Sequence, residues 1–224
     1  GLDSDYSKLP PHLRSETFPQ FEFNKVIIDS TYDLVCAYKP NMAFYEARGE
    51  RGLKELKMTL DYLKQTYPEI VTICDAKRAD IGNTNIGYVE SIFDYFGFDA
   101  VTIHPYLGKE ALQPFLDRTE KGIIVLCRTS NPGAGEFQDL LIANKPLYQH
   151  VAQNVCNSWN SNKNCLLVVG ATYPQELQVV RKIAGDMPFL VPGIGAQGGD
   201  IEKTVRAGAD SNGQGMIINS SRGI

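Results

Sequence analysis

Asp75, Lys77 and Asp80 lie close together in CDAKRADIGNT, directly behind the apolar stretch Ile70-Val71-Thr72-Ile73. Residues two apart on a strand face the same way. Asp75 and Lys77 are therefore expected on one side of a strand's C-terminal end, with Asp80 just beyond, where the chain turns toward a helix. Crowding an acid, a base and an acid is costly unless their charges compensate one another. Two carboxylates beside one ammonium favour its charged form. The set describes a cationic proton donor flanked by carboxylates. The same spacing fits a plainer arrangement, in which Asp80 caps a helix starting near Ile81 and Asp75 and Lys77 form a solvated pair. At this level both arrangements stay open.

Elements that can hold such a set recur along the chain. Apolar, strand-like runs fall at 34–38, 70–74, 100–104, 122–127, 165–169, 188–191 and 216–219. Most are short, rich in Val and Ile and apolar at consecutive positions, as strands buried on both faces of a parallel sheet are. Helices are expected between them. The 49–67 segment carries Leu53, Leu56, Leu60 and Leu63 at helical spacing, with Pro68 to stop it. Further helices are expected over 86–96, 109–117, 146–160, 174–184 and 200–207. Alternating strands and helices imply right-handed βαβ crossovers. These are seven strands, whereas a closed (β/α)8 barrel has eight. The opening Gly1-Leu2-Asp3 reads as the tail of a first strand, and Ile224 follows the last strand with no final helix. The expected fold is an α/β, (β/α)8 TIM barrel, a single domain over 1–224 lacking most of strand 1 and the last helix. An open doubly wound sheet, which needs no eighth strand, is the alternative.

Polar residues concentrate at the ends of these strands. Asp3 ends the inferred first one. Lys39 and Asn41 follow the second, Asp75 and Lys77 the third, and His104 ends the fourth. Arg128, Ser130 and Asn131 follow the fifth, Gln197 the seventh, and Ser220, Ser221 and Arg222 the eighth. Active sites of barrels form at that face. One lysine after a buried strand is commonly a solvated loop residue; several polar groups from separate strands are a stronger signal. Gly193, Gly195 and Gly198 have the spacing of a dinucleotide fingerprint. No acidic residue ends the next strand to hold a ribose hydroxyl. Glycines after strand seven suit a phosphate cup of backbone amides better, and Arg222 offers a forked charge for phosphate oxygens.

Composition bounds the rest. Of 224 residues, 43% are hydrophobic and 21% charged, ordinary for a soluble globular protein. A net charge of −4 argues against a general nucleic-acid binder. The five cysteines, Cys36, Cys74, Cys127, Cys156 and Cys165, are odd in number and form no CxxC. That fits free thiols in a reducing compartment, hence the cytoplasm. No apolar run approaches the roughly 20 residues that span a bilayer, and no signal-peptide pattern opens the chain. His12, His104 and His150 are far apart with no HExxH, so no metal site is expected. GK[ST] and GxSxG are absent as well, which argues against a triphosphate P-loop and a serine-hydrolase elbow.

The segments GLD, YKPN, DAKRADIGNT, TSNPGA, PGIGAQGGD and INSSRGI, in this order and at these strand ends, carry a resemblance across almost the whole chain. It resembles the orotidine 5′-phosphate decarboxylase family, nearest the bacterial subgroup with YKPN and TSNPGA. The resemblance implies conversion of orotidine 5′-phosphate to UMP and carbon dioxide in pyrimidine biosynthesis, without metal, flavin or pyridoxal. Lys39, Asp75, Lys77 and Asp80 would be the charged catalytic tetrad, with Lys77 the proton donor. Asp3 would bind the ribose and Ser130 the pyrimidine. Gln197 and Arg222 would hold the phosphate, with Pro192 and Ser221 among the neighbouring substrate-binding residues. The family is dimeric, so Asp80, Ile81 and Thr84 would reach into the partner subunit's site. Two other functions suit the scaffold: a metal-dependent sugar-phosphate decarboxylase or synthase, and a catalytically inactive phosphate-ligand binding module.

Overall fold

The structure, a computed structural model, describes residues 1–195 and 198–221. The strands are β1 (Ala37–Tyr38), β2 (Val71–Arg78), β3 (Ala100–Ile103), β4 (Gly122–Arg128), β5 (Cys165–Val169), β6 (Phe189–Val191) and β7 (Met216–Ile218). They form one sheet whose hydrogen-bonded order is the order of the chain. A doubly wound sheet reverses its order at a switch point, and this one does not. The open-sheet alternative therefore falls, and the fold class is that of the (β/α)8 barrel. A hairpin of Leu141–Ile142 and Lys145–Pro146 pairs antiparallel in a separate small sheet.

Two compact units make up the chain: Gly1–Ala76 with Glu90–Val101, and Lys77–Val89 with Thr102–Ile224. The first holds helices α1 (Pro19–Thr31) and α2 (Gly49–Thr66). Helix α2 arises as its leucine spacing predicts: Leu56, Leu60 and Leu63 are buried, and Tyr67 closes it with an N–H to the Leu63 carbonyl. Leu63 packs with Leu2, Ile28, Tyr38 and Ile70 in one cluster. Burying a side chain of this kind contributes about 1.5–3 kcal/mol.

Helix α1 was not expected, because much of the face it buries is polar. Gln20 and Asn24 are fully buried with Ile28. The Gln20 amide side chain donates to the carbonyls of Ser4 (2.7 Å) and Phe44 (3.1 Å). Asn24 donates to the Tyr45 hydroxyl (2.9 Å) and Thr59 Oγ1 (3.1 Å). The first-turn N–H groups of Gln20 and Phe21 donate to the buried Glu55 carboxylate at 2.5 and 3.1 Å. Arg48 pairs with that carboxylate at 2.6 Å. A glutamate from α2 thus caps α1, where a helix N-terminus favours negative charge.

The strand expected over 34–38 contracts to two residues. The chain leaving α1 turns first, with the Leu34 N–H on the Thr31 carbonyl (3.0 Å), and Leu34 is exposed. Beyond β1 the chain stays beside β2. Ala37 pairs with Val71 and Tyr38 with Thr72, and a parallel bridge joins Asn41 to Asp75. On the other side, the Leu2 N–H donates to the Lys39 carbonyl at 3.1 Å.

The second unit contains α3 (Gly82–Val89), α4 (Gly108–Leu116), α5 (Leu147–Asn154), α6 (Pro174–Ala184) and α7 (Ile201–Gly208). In it β4 pairs parallel with β5, β5 with β6, and β6 with β7. Ile123, Ile124, Val125, Leu167, Val169, Phe189 and Val191 are fully buried, which is why these strands read as continuous apolar runs. The helix expected over 86–96 instead begins at Gly82 and passes at Glu90 into π-helical turns that end at Phe96. The one expected over 146–160 changes likewise after Asn154.

Candidate active site

In the first unit the YKPN segment carries a cation to the end of β2. The Asp75 N–H donates to the Pro40 carbonyl (3.0 Å) and the Met42 N–H to the Asp75 carbonyl (3.2 Å). These bonds continue the strand register and bring Lys39 Nζ to 2.8 Å from Asp75 Oδ2, with side chains only 7% and 11% exposed. Asn41 Nδ2 approaches the same oxygen at 3.5 Å. The plain reading of Asp75 as half of a solvated pair does not survive this burial. A buried ion pair recovers its desolvation cost only with good geometry, so Lys39 and Asp75 hold each other in place. Asp3 lies in the same unit, and its Oδ1 is buried without a hydrogen-bond partner. An orphaned buried carboxylate oxygen is costly and suits a ligand hydroxyl.

Lys77 heads the second unit and has φ of +48°. The left-handed region is unfavourable for a residue with a Cβ and is found disproportionately at functional sites. The residue is exposed, and its N–H donates to the buried Thr102 Oγ1 at 3.0 Å. The left-handed turn occurs at Lys77 itself, so the strand's two-residue alternation does not carry through it. Asp80 is half-buried. Its Oδ1 accepts from the adjacent Ile81 N–H at 2.6 Å. A capping aspartate accepts from the second or third helical amide; the bond Asp80 Oδ1 accepts comes instead from the Ile81 N–H, one residue before α3 begins at Gly82. Asp80 is therefore not the cap of the plainer reading. Ile81 and Thr84 are exposed at the start of α3.

Ser130 is half-buried on the loop after β4. That loop is tied at its base. Gln138 accepts from the Thr129 N–H (2.9 Å) and donates to Thr129 Oγ1 (2.8 Å). Arg128, 2% exposed, reaches Gln138 and Asp139 at 3.3 Å. Its guanidinium lies 4.4 Å from the ring centre of Tyr173 and 5.7 Å from that of Tyr148. Ring faces and carboxylates together offset the burial of this cation. Ser130 has room only because residue 170 is glycine: a Cβ there would fall 2.8 Å from Ser130 Cβ and 2.9 Å from its Cα. Pro192 follows β6, its carbonyl accepting from the Ala171 N–H at 2.8 Å. Nearby in sequence, Thr172 Oγ1 is buried without a partner. Ser221 follows β7 and accepts from Asn219 at 3.4 Å. Gln197 and Arg222 lie outside the described residues.

The backbone N–H of His104, just past β3, donates to the Arg78 carbonyl at 3.1 Å. Among the described residues no cluster of three or more His, Cys, Asp or Glu side chains is arranged to hold a metal, and no helix is long and apolar enough to cross a membrane.

The family model described as "Orotidine 5'-phosphate decarboxylase / HUMPS family" matches residues 18–224. An orotidine 5′-phosphate decarboxylase of Janthinobacterium sp. (strain Marseille) is 52% identical over 224 residues, covering all of this chain and 82% of the relative. The chain belongs to this family. Among solved structures, Leishmania donovani OMP decarboxylase matches with a TM-score of 0.87 at 39% identity, over 94% of this chain and 81% of that one. Leishmania donovani UMP synthase matches with a TM-score of 0.89 at 41% identity, over 94% of this chain and 46% of that one.

Lys39, Ser130, Pro192 and Ser221 follow strands as expected; Asp75 and Lys77 lie inside β2, which runs on to Arg78, and Asp3 lies on a segment that is not a strand, tied to the chain after β1 by the Leu2 N–H. Three features of the site carry little signal in the sequence. Gly170 is legible only once its neighbour Ser130 is known. Arg128 reads in the sequence as a strand-end cation, but the loop tie it makes is a tertiary fact. Asn85, inside DIGNTN, gave no signal: a buried asparagine in a first helical turn looks like any polar surface residue.

Proposed function

We infer that this chain is a carboxy-lyase that converts orotidine 5′-phosphate to UMP and carbon dioxide, with Lys77 as proton donor. Membership of the family carries the reaction. The observation supporting the role of Lys77 is its left-handed backbone at the end of the strand that also carries the Lys39–Asp75 pair.

The difficulty of the reaction is the electron pair left on the pyrimidine ring when the carbon–carbon bond breaks and carbon dioxide departs. A neighbouring ammonium stabilises that charge as it develops and then supplies a proton. The new C–H bond takes the proton of Lys77, and the neutral amine regains one from solvent. Asp75 and Asp80 flank Lys77 in the motif and orient its ammonium for the reaction. Lys39, fixed by Asp75, links the aspartates to the ribose hydroxyls, and Asp3 offers its orphaned oxygen to the same sugar. Ser130 reads the pyrimidine. Gln197 and Arg222 hold the phosphate with Pro192 and Ser221 nearby, and binding energy at that remote group lowers the barrier.

The working unit in this reading is a homodimer of single barrel domains in the cytoplasm. Asp80, Ile81 and Thr84 of each chain complete the partner subunit's site. Ile81, Ile86, Tyr106 and Leu107 of the second unit are exposed apolar side chains that such an interface would cover.

The test is loss of orotidine 5′-phosphate absorbance in the presence of the protein, with and without EDTA. Turnover insensitive to the chelator is expected. Activity lost on chelation would favour the metal-dependent sugar-phosphate chemistry, and UMP binding without turnover would favour an inactive binding module.

A further inference from the structure

We propose that Asn85 is a positioning residue that holds Asp80 in its working orientation; the role rests on the reading of Asp80 as a catalytic carboxylate. Asn85 is fully buried in the first turn of α3. Its side-chain amide has one carbonyl oxygen and two N–H groups, and it uses both ends on the backbone. Oδ1 accepts from the Asp80 N–H at 2.8 Å. Nδ2 donates to the Asp80 carbonyl at 2.5 Å and to the Ala111 carbonyl at 2.5 Å.

The peptide groups on either side of the Asp80 Cα are thus gripped by one planar group. That group is anchored in turn to the interior of α4, where Ala111 is buried. With both flanking peptides fixed, the Cα–Cβ direction of Asp80 is fixed. The remaining freedom of the carboxylate is restrained by the Ile81 N–H. These bonds are not a cap of α3, because none of them reaches an amide of that helix. The Asn85 side chain bonds instead to a residue outside the helix, the one carboxylate that the motif places there.

A double-mutant cycle tests this, using the full chain with parent, Asn85→Ala, Asp80→Ala and the double variant. Turnover of orotidine 5′-phosphate is followed at high enzyme concentration, and folding is checked by thermal melting. Misplacing a catalytic group by about 1 Å costs on the order of 100-fold. Asn85→Ala is therefore expected to lower kcat about 10- to 100-fold, with UMP affinity little changed, and to cost nothing further once Asp80 is alanine. If Asn85→Ala lowers kcat by the same factor in both backgrounds, or lowers only the melting temperature, the positioning role is wrong. Should Asp80→Ala retain parental kcat, the reading of Asp80 itself fails, a separate outcome visible in the same data. If Asn85→Ala does not fold, Asn85→Asp runs the same cycle, because it keeps the size and the acceptor for the Asp80 N–H while removing the amide donors. Additive losses there overturn the proposal equally.

Discussion

Replacing Lys77 by glycine should give a more stable protein than replacing it by alanine, although neither will turn over substrate. At φ of +48° the backbone of residue 77 sits where a Cβ collides with its own peptide. That strain is about 1–2 kcal/mol for an L-residue. Glycine removes it but loses roughly 0.5–1 kcal/mol more backbone entropy on folding. The exposed lysine side chain is lost in both variants and cancels. The difference spans about 0–1.5 kcal/mol in favour of glycine, with a midpoint of roughly 0.75 kcal/mol. A chain of this size shifts its melting temperature by roughly 2–4 °C per kcal/mol, so Lys77→Gly should melt above Lys77→Ala, by roughly 1.5–3 °C at that midpoint. Thermal scans of the two variants in one buffer, followed by circular dichroism, read this directly. If Lys77→Gly melts below Lys77→Ala, residue 77 is not held under strain, and the argument that the fold tolerates a cost there for the sake of its ammonium fails.

Other expectations follow from separate parts of the molecule. Mixed Lys77→Ala and Asp80→Ala chains should regain about a quarter of parental sites, because half of randomly reassorted dimers are hybrids and each hybrid holds one intact site; baseline activity despite hybrids seen by native mass spectrometry refutes the shared site. Gly170→Ala should displace Ser130, since the added methyl would lie inside contact distance of its Cα and Cβ; a raised KM is expected, and an unchanged one would show that Ser130 does not read the pyrimidine. In thiol labelling at pH 8, Cys36 should react first, as the exposed cysteine. Burial pushes the Cys127 thiol up and the Cys165 thiol to about 11, so both stay protonated and, lacking the reactive thiolate, should label only on unfolding. Fast labelling of either in the native protein would contradict the described core.

Much of the fold was legible because parallel strands buried on both faces leave continuous apolar runs. The runs at 122–127 and 165–169 correspond to strands whose central residues are fully buried. Helix α2 was legible from its leucines. Helix α1 was not, since it buries Gln20 and Asn24 through a hydrogen-bonded network that only the tertiary structure completes. The 34–38 run looked like a strand because Leu34 and Val35 are apolar, but the turn after α1 takes up its first residues. At the site, residue types and spacing gave the charged group; they could not give its backbone. Nothing in a lysine's identity announces a left-handed φ, and the Asn85 grip on Asp80 depends on a carbonyl in another helix.

The central claim, that Lys77 supplies the proton which replaces the departing carboxylate, is tested most directly by measuring kcat for orotidine 5′-phosphate and the Kd for UMP in the parent and in Lys77→Ala. The account predicts that kcat falls to background while UMP affinity stays largely intact, because the lysine acts on a charge that exists only during the reaction. Substantial turnover in Lys77→Ala, or loss of turnover matched by an equal loss of UMP affinity, would contradict it.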